Sequence, residues 1–455
     1  MAAWVWYTMN GACGTVPSST TLRLYRTRAL VLQYISYPNI QMAHVQCFIL
    51  MSSFLCSINC LPQAWLLVGQ AVRTGQDLGL HVSCPRNHYD AHDQPIHFQR
   101  SQRRLLLTPI EKETRKKVWW GVYTLDRMLA LALGRPLGIN DSDCDVEQPA
   151  EVDDDDLSEY FSGASMSQRK PALMAGTIAL NRLYEIGGRV LRQVYGLDVC
   201  RDNLEPEKKA ELQCVVESLD NELTQWCETL PAVFKSQSET DEQVSMGAVL
   251  CSHYYSILTT LHRNLLPVKR VQPELPSAKS TVKAVSSARS CIRLAPSMSH
   301  VVPPSHHLAF FIQQLFSSAV ILLLYAMHAP EPRASAAAME EAKSSLAALE
   351  SWEGNWPGAR KCKELLVDLT NTASEAISQA NAQISVPILA APPSTGPQRR
   401  RSITIPAAAP GSGPGRIVKP RSSRRNPSRD PSVNSTRRLA AVSPYRVDCE
   451  LSFRE

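Results

Sequence analysis

The chain has 455 residues, 44% of them apolar and 20% charged, with a formal net charge of +6. That length admits two or three average domains, or one large domain with a tail. Thirteen scattered cysteines, an odd number with no Cys-x-x-Cys pair, exclude a secreted disulfide scaffold and point to reduced thiols.

The charge is unevenly divided. From Val386 onward 13 Arg and Lys face 4 Asp and Glu, a balance of +9, and the preceding residues carry −3. A slightly acidic body is poorly suited to gripping a phosphate backbone alone. No basic start followed by an apolar run and a cleavage site opens the chain, so no signal peptide is expected.

Apolar positions recur at helical spacing over Leu22–Ile35 and Ile40–Ile58, and no Asp, Glu, Lys or Arg occurs between Arg28 and Arg73. Pro38, Asn39, Asn59 and Pro62 cut this stretch into pieces shorter than the ~20 residues a bilayer requires. Buried helices are therefore expected. The next helix begins near Pro62, with a stripe of Ala64, Leu67, Val68, Ala71, Val72, Gly75 and Leu78, and stops at Gly79, a residue suited to the left-handed C-terminal position. Val82–Leu107 is polar. Its Cys84, His88, His92 and His97 lack the tight paired spacing of zinc ligands and read as a solvated loop.

Thr108, Pro109 and Glu111 form a helix start with a capping-box signature,. Val118, Val122, Leu125, Leu129 and Ala132 continue as a buried seam, widened by Trp119 and Tyr123 and interrupted by Asp126 and Arg127. Gly134 and Pro136 stop the helix. Asp126 and Arg127 enter the fold only if paired, because a lone buried charge is very costly. The expectation is that Asp126 or Asp141 pairs with Arg73 or Arg135 and locks the following loop; an inducer pocket between these helices is the functional alternative. Asp141–Glu159 is acidic and includes Asp153–Asp156. Such a run invites comparison with the Mg²⁺-diphosphate site of all-helical terpene synthases, but lying between Pro149 and a Ser/Gly stretch it reads as a solvated loop.

Further helices are expected at Ala172–Tyr195, Pro206–Leu230, Val244–Leu266, Ala278–Leu294, Ser305–His328, Arg333–Trp352 and Pro357–Ala380,. Within the fifth, Leu308–Met327 carries no charge. A membrane span is the alternative, but Gln313, Gln314, Ser317 and Ser318 at mid-span favour a buried central helix. No strand alternation of useful length and no catalytic motif is found, and His262 and Arg263 lie in a helix. From Val386 the chain is rich in Pro, Ala, Ser, Gly and Arg and is expected to be disordered. Arg399, Arg400 and Arg401, and Arg424 and Arg425, resemble nuclear-import signals. The fold class is all-α, with a multi-helix domain over residues 1–385 and a disordered basic tail over 386–455.

The central stretch resembles the fungal-specific transcription factor domain, the middle homology region of zinc-cluster (Zn2Cys6) regulators, named after the xylanolytic activator. Trp65, Arg73, Gly79 and His81 match its first helix. Glu111 or Glu113, Arg115, Lys116, Trp119, Trp120, Tyr123, Asp126 and Arg127 match its second, and Gly134, Arg135, Pro136 and Pro149 the turn beyond. Leu261-His262-Arg263, Cys291 and Trp356-Pro357-x-Ala359-Arg360 are later echoes.

The resemblance implies a nuclear regulator of RNA polymerase II transcription, not an enzyme. It also implies co-regulator partners, a small-molecule effector and a homodimer. Family members read DNA through an N-terminal six-cysteine zinc cluster. No such spacing occurs here, so no cofactor is expected in this chain itself; zinc and DNA enter only through that cluster. No membrane partner is expected. Two further readings stand beside this one: a DNA-free co-regulator and, from Asp153–Asp156 alone, a Mg²⁺-dependent all-α enzyme.

Overall fold

The computed structural model describes residues 40–83, 107–163, 172–197, 199, 205–264, 266, 275–302, 305–329, 331–354 and 356–384. Among the described residues there are eleven α-helices and no strand: α1 (Met42–Ser57), α2 (Leu61–Asp77), α3 (Pro109–Leu133), α4 (Leu157–Ser162), α5 (Leu173–Val194), α6 (Pro206–Thr229), α7 (Asp241–Arg263), α8 (Leu275–Val301), α9 (His306–His328), α10 (Pro332–Trp352) and α11 (Pro357–Ile384). The chain divides after Ile377; of the second unit, which starts at Ser378, only the helical end of α11 is described. The packing below is that of the first unit. The helix expected over Leu22–Ile35, the loop histidines His88, His92 and His97 with Cys84, and the basic tail with Arg399, Arg400, Arg401, Arg424 and Arg425 lie outside the described residues.

The local chemistry sets the helix ends. Thr108 Oγ1 accepts from the Glu111 backbone N–H, and the Thr108 N–H donates to Glu111 Oε2 at 2.8 Å, a reciprocal cap on α3. Gly134 ends that helix at φ 61° and Gly79 follows α2 at φ 65°. Both occupy the left-handed region where a Cβ is penalised. After Gly79 the Leu80 N–H donates to the Gly75 carbonyl at 2.9 Å, closing the end of α2.

α3 is the axis of the first core. α1, α2 and α5 pack against it, and every residue from Val118 to Ala132 is buried except half-buried Gly121. A helix covered all round cannot keep a polar face for water, so its polar side chains must find partners inside. The apolar side chains of α1–α3 and α5–α7 form one continuous core that includes Trp119, Leu183, Leu223, Ile257 and Phe310. A second core gathers α8–α11 around Cys291, Leu315, Leu322, Leu349 and Leu366. α9 serves both: Phe310 faces the first core, and Phe311 faces the second.

α9 is long and apolar enough to cross a membrane, yet 72% of its most apolar window is buried within the fold. Its mid-span polar groups are used internally. Gln314 Nε2 lies 3.3 Å from His253 Nδ1, and Gln313 donates to Asn59 Oδ1 at 3.0 Å. Three imidazoles meet where α7 joins the start of α9: His253 Nε2 lies 3.2 Å from His307 Nδ1, and the His306 and His307 rings are 4.1 Å apart. Burial pushes His253 down to about 3 and His306 down to about 4, so these rings stay neutral across physiological pH.

Several boundaries depart from the sequence reading: α7 begins three residues before Val244, α8 three before Ala278, and α11 runs four past Ala380. α8 continues seven residues past the expected Leu294, through Pro296; tertiary packing of Ala295, Met298 and Val302 into the second core outweighs the bond that proline forfeits. α7 stops at Arg263, three residues short of Leu266. The short helix α4 had no periodic signal of its own.

Leu322 is fully buried in the second core. Leu322→Ala is expected to lower unfolding stability by about 2–5 kcal/mol, measured by urea denaturation of the whole chain.

Candidate functional site

The chain leaving α3 turns back along it. Residues 134–152 run antiparallel to α3 as an extended strap, broken by a 3₁₀ turn at Asp141–Asp143. One face of α3 holds the strap by successive turns. Near its N-terminus Glu113, itself buried, accepts the Ala150 N–H at 2.6 Å. Lys117 Nζ donates to the Val152 carbonyl at 3.0 Å and to Asp154 at 2.8 Å. Lys116 pairs with Glu147 at 2.9 Å, and Trp120 Nε1 donates to the Glu147 carbonyl at 2.9 Å. Farther along, Thr124 donates to Asn181, whose amide donates to Gln148, whose amide donates to Glu185, each at 2.9–3.0 Å. The positions 113, 116/117, 120, 123/124 and 127 follow the helical repeat, which is why one face of one helix reaches the whole strap.

The network is anchored at Arg127, whose side chain is 0% exposed. Its guanidinium lies 3.4 Å over the Tyr123 ring, 3.3 Å from Asp126 Oδ2, and donates to Asp141 Oδ1. Asp141 also accepts from the Tyr123 hydroxyl at 2.7 Å and from Arg192 of α5. Arg192 donates in addition to the Ile139 carbonyl at 2.7 Å. Asp126 turns the other way and accepts the N–H groups of Gly138, at 2.9 Å, and Ile139, at 3.2 Å. Two glycines make room for this: a Cβ on Gly138 would lie 2.8 Å from Asp126 Oδ1, and one on Gly188 would lie 3.3 Å from Arg127 Nε.

Electrostatics differ between the two carboxylates. For Asp141 burial, the largest single effect, acts upward, but Arg127, Tyr123 and Arg192 together hold it below the usual carboxylate range. For Asp126 burial prevails over Arg127 and the two backbone N–H groups and pushes it up. Burial also raises the Tyr123 phenol and Glu185.

The expected lock on the loop therefore exists, but its cations are not Arg73 or Arg135. Arg73 is exposed and donates to Gln76 at 3.1 Å. Arg135 stacks over Trp65, 4.6 Å from the ring centroid. The charges that matter are Arg127, a neighbour in sequence too close to be suspected, and Arg192, 51 residues beyond Asp141. Only Arg127 is rigidly enclosed, which suits the fork geometry of guanidinium.

The remaining singled-out residues take structural positions around this strap. The His81 ring tilts against Trp119 at 5.6 Å, and Trp119 is fully buried. Pro149 is buried and Pro136 exposed. Glu111 and Glu113 divide their duties, one capping α3 and the other gripping the strap. His262 is bracketed by Asp220 at 3.0 Å and Ser280 at 3.3 Å. Nor is the aspartate run simply solvated. Asp153 accepts the N–H groups of Leu173 and Met174 at the start of α5, and Asp154 pairs with Lys117. Carboxylates committed to a helix start and a lysine serve the packing of α5 and α3. Beside α3 a crevice lined by Met128, Tyr184, Ser256, Phe310, Gln313 and Gln314 has a volume of about 10 Å³, room for about one water.

Two outcomes follow from the network. Arg127→Met leaves Asp126 and Asp141 without their buried partner and is expected to cost about 3–5 kcal/mol. Arg135→Ala removes a ring contact at a half-buried site, worth about 1 kcal/mol; chemical denaturation of both variants checks the ranking. A carboxylate depressed in the fold contributes stability above its unfolded pKa of ~3.9 that is lost as pH falls. Melting temperature is expected to drop on acidification below about pH 4, and Asp141→Asn is expected to flatten that drop.

Residues 10–228 match the family described as the fungal specific transcription factor domain. A transcriptional regulatory protein of Schizosaccharomyces pombe is 26% identical over 295 residues, covering 63% of this chain and 32% of that protein. A transcriptional activator protein of Neurospora crassa is 29% identical over 43% of this chain and 21% of its own length. An ABC-transporter-regulating transcription factor of Aspergillus oryzae is 27% identical over 53% of this chain and 24% of its length. The chain thus spans a third or less of these relatives. No solved structure matches it. The matched residues hold α1–α3, the strap and the anchoring helix α5, and on that match residues 10–228 are a fungal-specific transcription factor domain.

Proposed function

We propose that this chain is the regulatory portion of a zinc-cluster-type transcription regulator, acting in the nucleus on transcription by RNA polymerase II. The observation that carries the reading is the strap locked to α3 through buried Arg127, inside the matched domain. The acids and bases of that network are spent on one another and on backbone groups. That arrangement serves to hold a surface in one shape, and a regulatory domain requires such a surface. In this reading the domain restrains or transmits activation through co-regulators, with a small-molecule effector and self-association as inputs. Contact with DNA, and zinc with it, belongs to a zinc cluster of the kind family members carry. The relatives' names support regulation of transcription; the target genes of the present chain follow from none of them.

The test is to tether the full chain to an unrelated DNA-binding module and measure a reporter. The expected result is a several-fold change in output, in either direction, relative to the module alone; an unchanged output overturns the reading. Nuclear entry is assigned to the basic clusters. Replacing Arg399, Arg400, Arg401, Arg424 and Arg425 together by Ala is expected to abolish nuclear accumulation of a fluorescent fusion, scored by microscopy.

A further inference from the structure

α4 is six residues long, Leu-Ser-Glu-Tyr-Phe-Ser. Leu157 is buried and fixes it to the body, and Gly163 ends it at φ 72°. Two aromatic side chains stand out from it: Tyr160 is 45% exposed and Phe161 37%. Their rings meet edge to face, with centroids 5.0 Å apart and planes at 81°, so the pair is a preformed apolar wedge with little rotamer freedom left to lose. Adjacent exposed aromatics are the groups interfaces select for, and scattered polar surface does not explain them.

The segment that carries the wedge is acidic throughout, with Lys117 of α3 paired to its Asp154. From Glu151 to Gly163 the chain carries Glu151, Asp153, Asp154, Asp155, Asp156 and Glu159 and no Lys or Arg. Asp153 and Asp154 hold α5 and Lys117; Asp155, in the 3₁₀ turn that precedes α4, and Glu159, on α4 with the aromatics, lie exposed.

We propose that Tyr160 and Phe161 are the docking point for a co-regulator that offers an apolar groove rimmed by Lys or Arg. The inference rests on the regulatory reading above and gives it a surface. The rings require an apolar floor, and the carboxylates require cations at its edge. The chain's own basic segment supplies charge without such a floor: residues 386–438 are dominated by Pro, Ala, Ser, Gly and Arg. A second copy would bring like charge against like charge, which is unfavourable.

Two measurements on the full chain test this. In the tethered reporter, Tyr160→Ala with Phe161→Ala is expected to cut the chain's effect at least about fivefold while the chain still unfolds cooperatively at a melting temperature only modestly lowered, since both side chains are partly exposed. Asp155→Asn with Glu159→Gln is expected to cut it about two- to threefold. Separately, Tyr160→p-benzoylphenylalanine places a photo-cross-linker on the wedge in cells, and the joined peptides are mapped by mass spectrometry. A cross-link into a groove of another protein with apolar floor residues and flanking Lys or Arg supports the proposal. Cross-links to residues 386–455, to a second copy, or to a surface without those features overturn it. A reporter effect that survives the double alanine variant overturns the proposal alone and leaves the regulatory reading standing. A wild-type chain without reporter effect overturns the regulatory reading, and the mapped cross-link then decides the surface by itself.

Discussion

A guanidinium with no access to water is the constraint on which this fold turns. Desolvating Arg127 carries a penalty of several kcal/mol, and it is offset only because Asp126, Asp141 and the Tyr123 face meet it together. Asp141 does not come from α3; it comes from the returning strap. The strap must therefore be in place for α3 to be buried, and α3 must be buried for the first core to close around Trp119 and Val122. α5 joins the same condition through Arg192, which bonds both Asp141 and the Ile139 carbonyl.

The two carboxylates at this junction divide the work by environment. Asp141 keeps partial contact with solvent and is surrounded by donors, so it stays ionised easily. Asp126 lies deeper and organises backbone, holding Gly138 and Ile139 in the turn that brings Asp141 round. The polar cluster at the α7–α9 junction behaves differently: its imidazoles are neutral, held there by burial. They supply hydrogen bonds without charge inside a region that contains the most apolar helix of the fold. One polar system is built from paired charges and the other from neutral rings, and each ties distant segments together.

Much of the fold was legible from periodicity. The α3 seam, the capping box at Thr108 and the glycine stops at Gly79 and Gly134 each have a local physical cause, and local causes are written in adjacent residues. The limits of α8 were not, because the gain from packing Met298 is tertiary and outweighs what Pro296 announces locally. At the site the motif residues pointed to the right helix, and the need to pair Asp126 and Arg127 was clear from burial alone. The identity of the partners was not: Arg192 sits in an ordinary amphipathic helix with no signal of its own, and Glu113 differs from Glu111 only in which side of α3 it faces. The commitment of Asp153 to the start of α5 was equally hidden, since that helix begins 20 residues later.

Most of the grip on the strap falls on its main chain. The N–H groups of Gly138, Ile139 and Ala150 and the carbonyls of Ile139, Glu147 and Val152 are held by side chains from elsewhere. Main-chain atoms are common to every residue but proline at the nitrogen, so such a clasp is blind to the side chains it carries. Apart from the buried or bonded side chains of Ile139, Asp141, Asp145, Glu147, Gln148, Pro149 and Val152 and the glycine beneath Asp126, the outward letters of the strap are free to drift while its path stays fixed. A lineage of regulators could rewrite the face presented to its partners there, one substitution at a time, without renegotiating the scaffold that displays it.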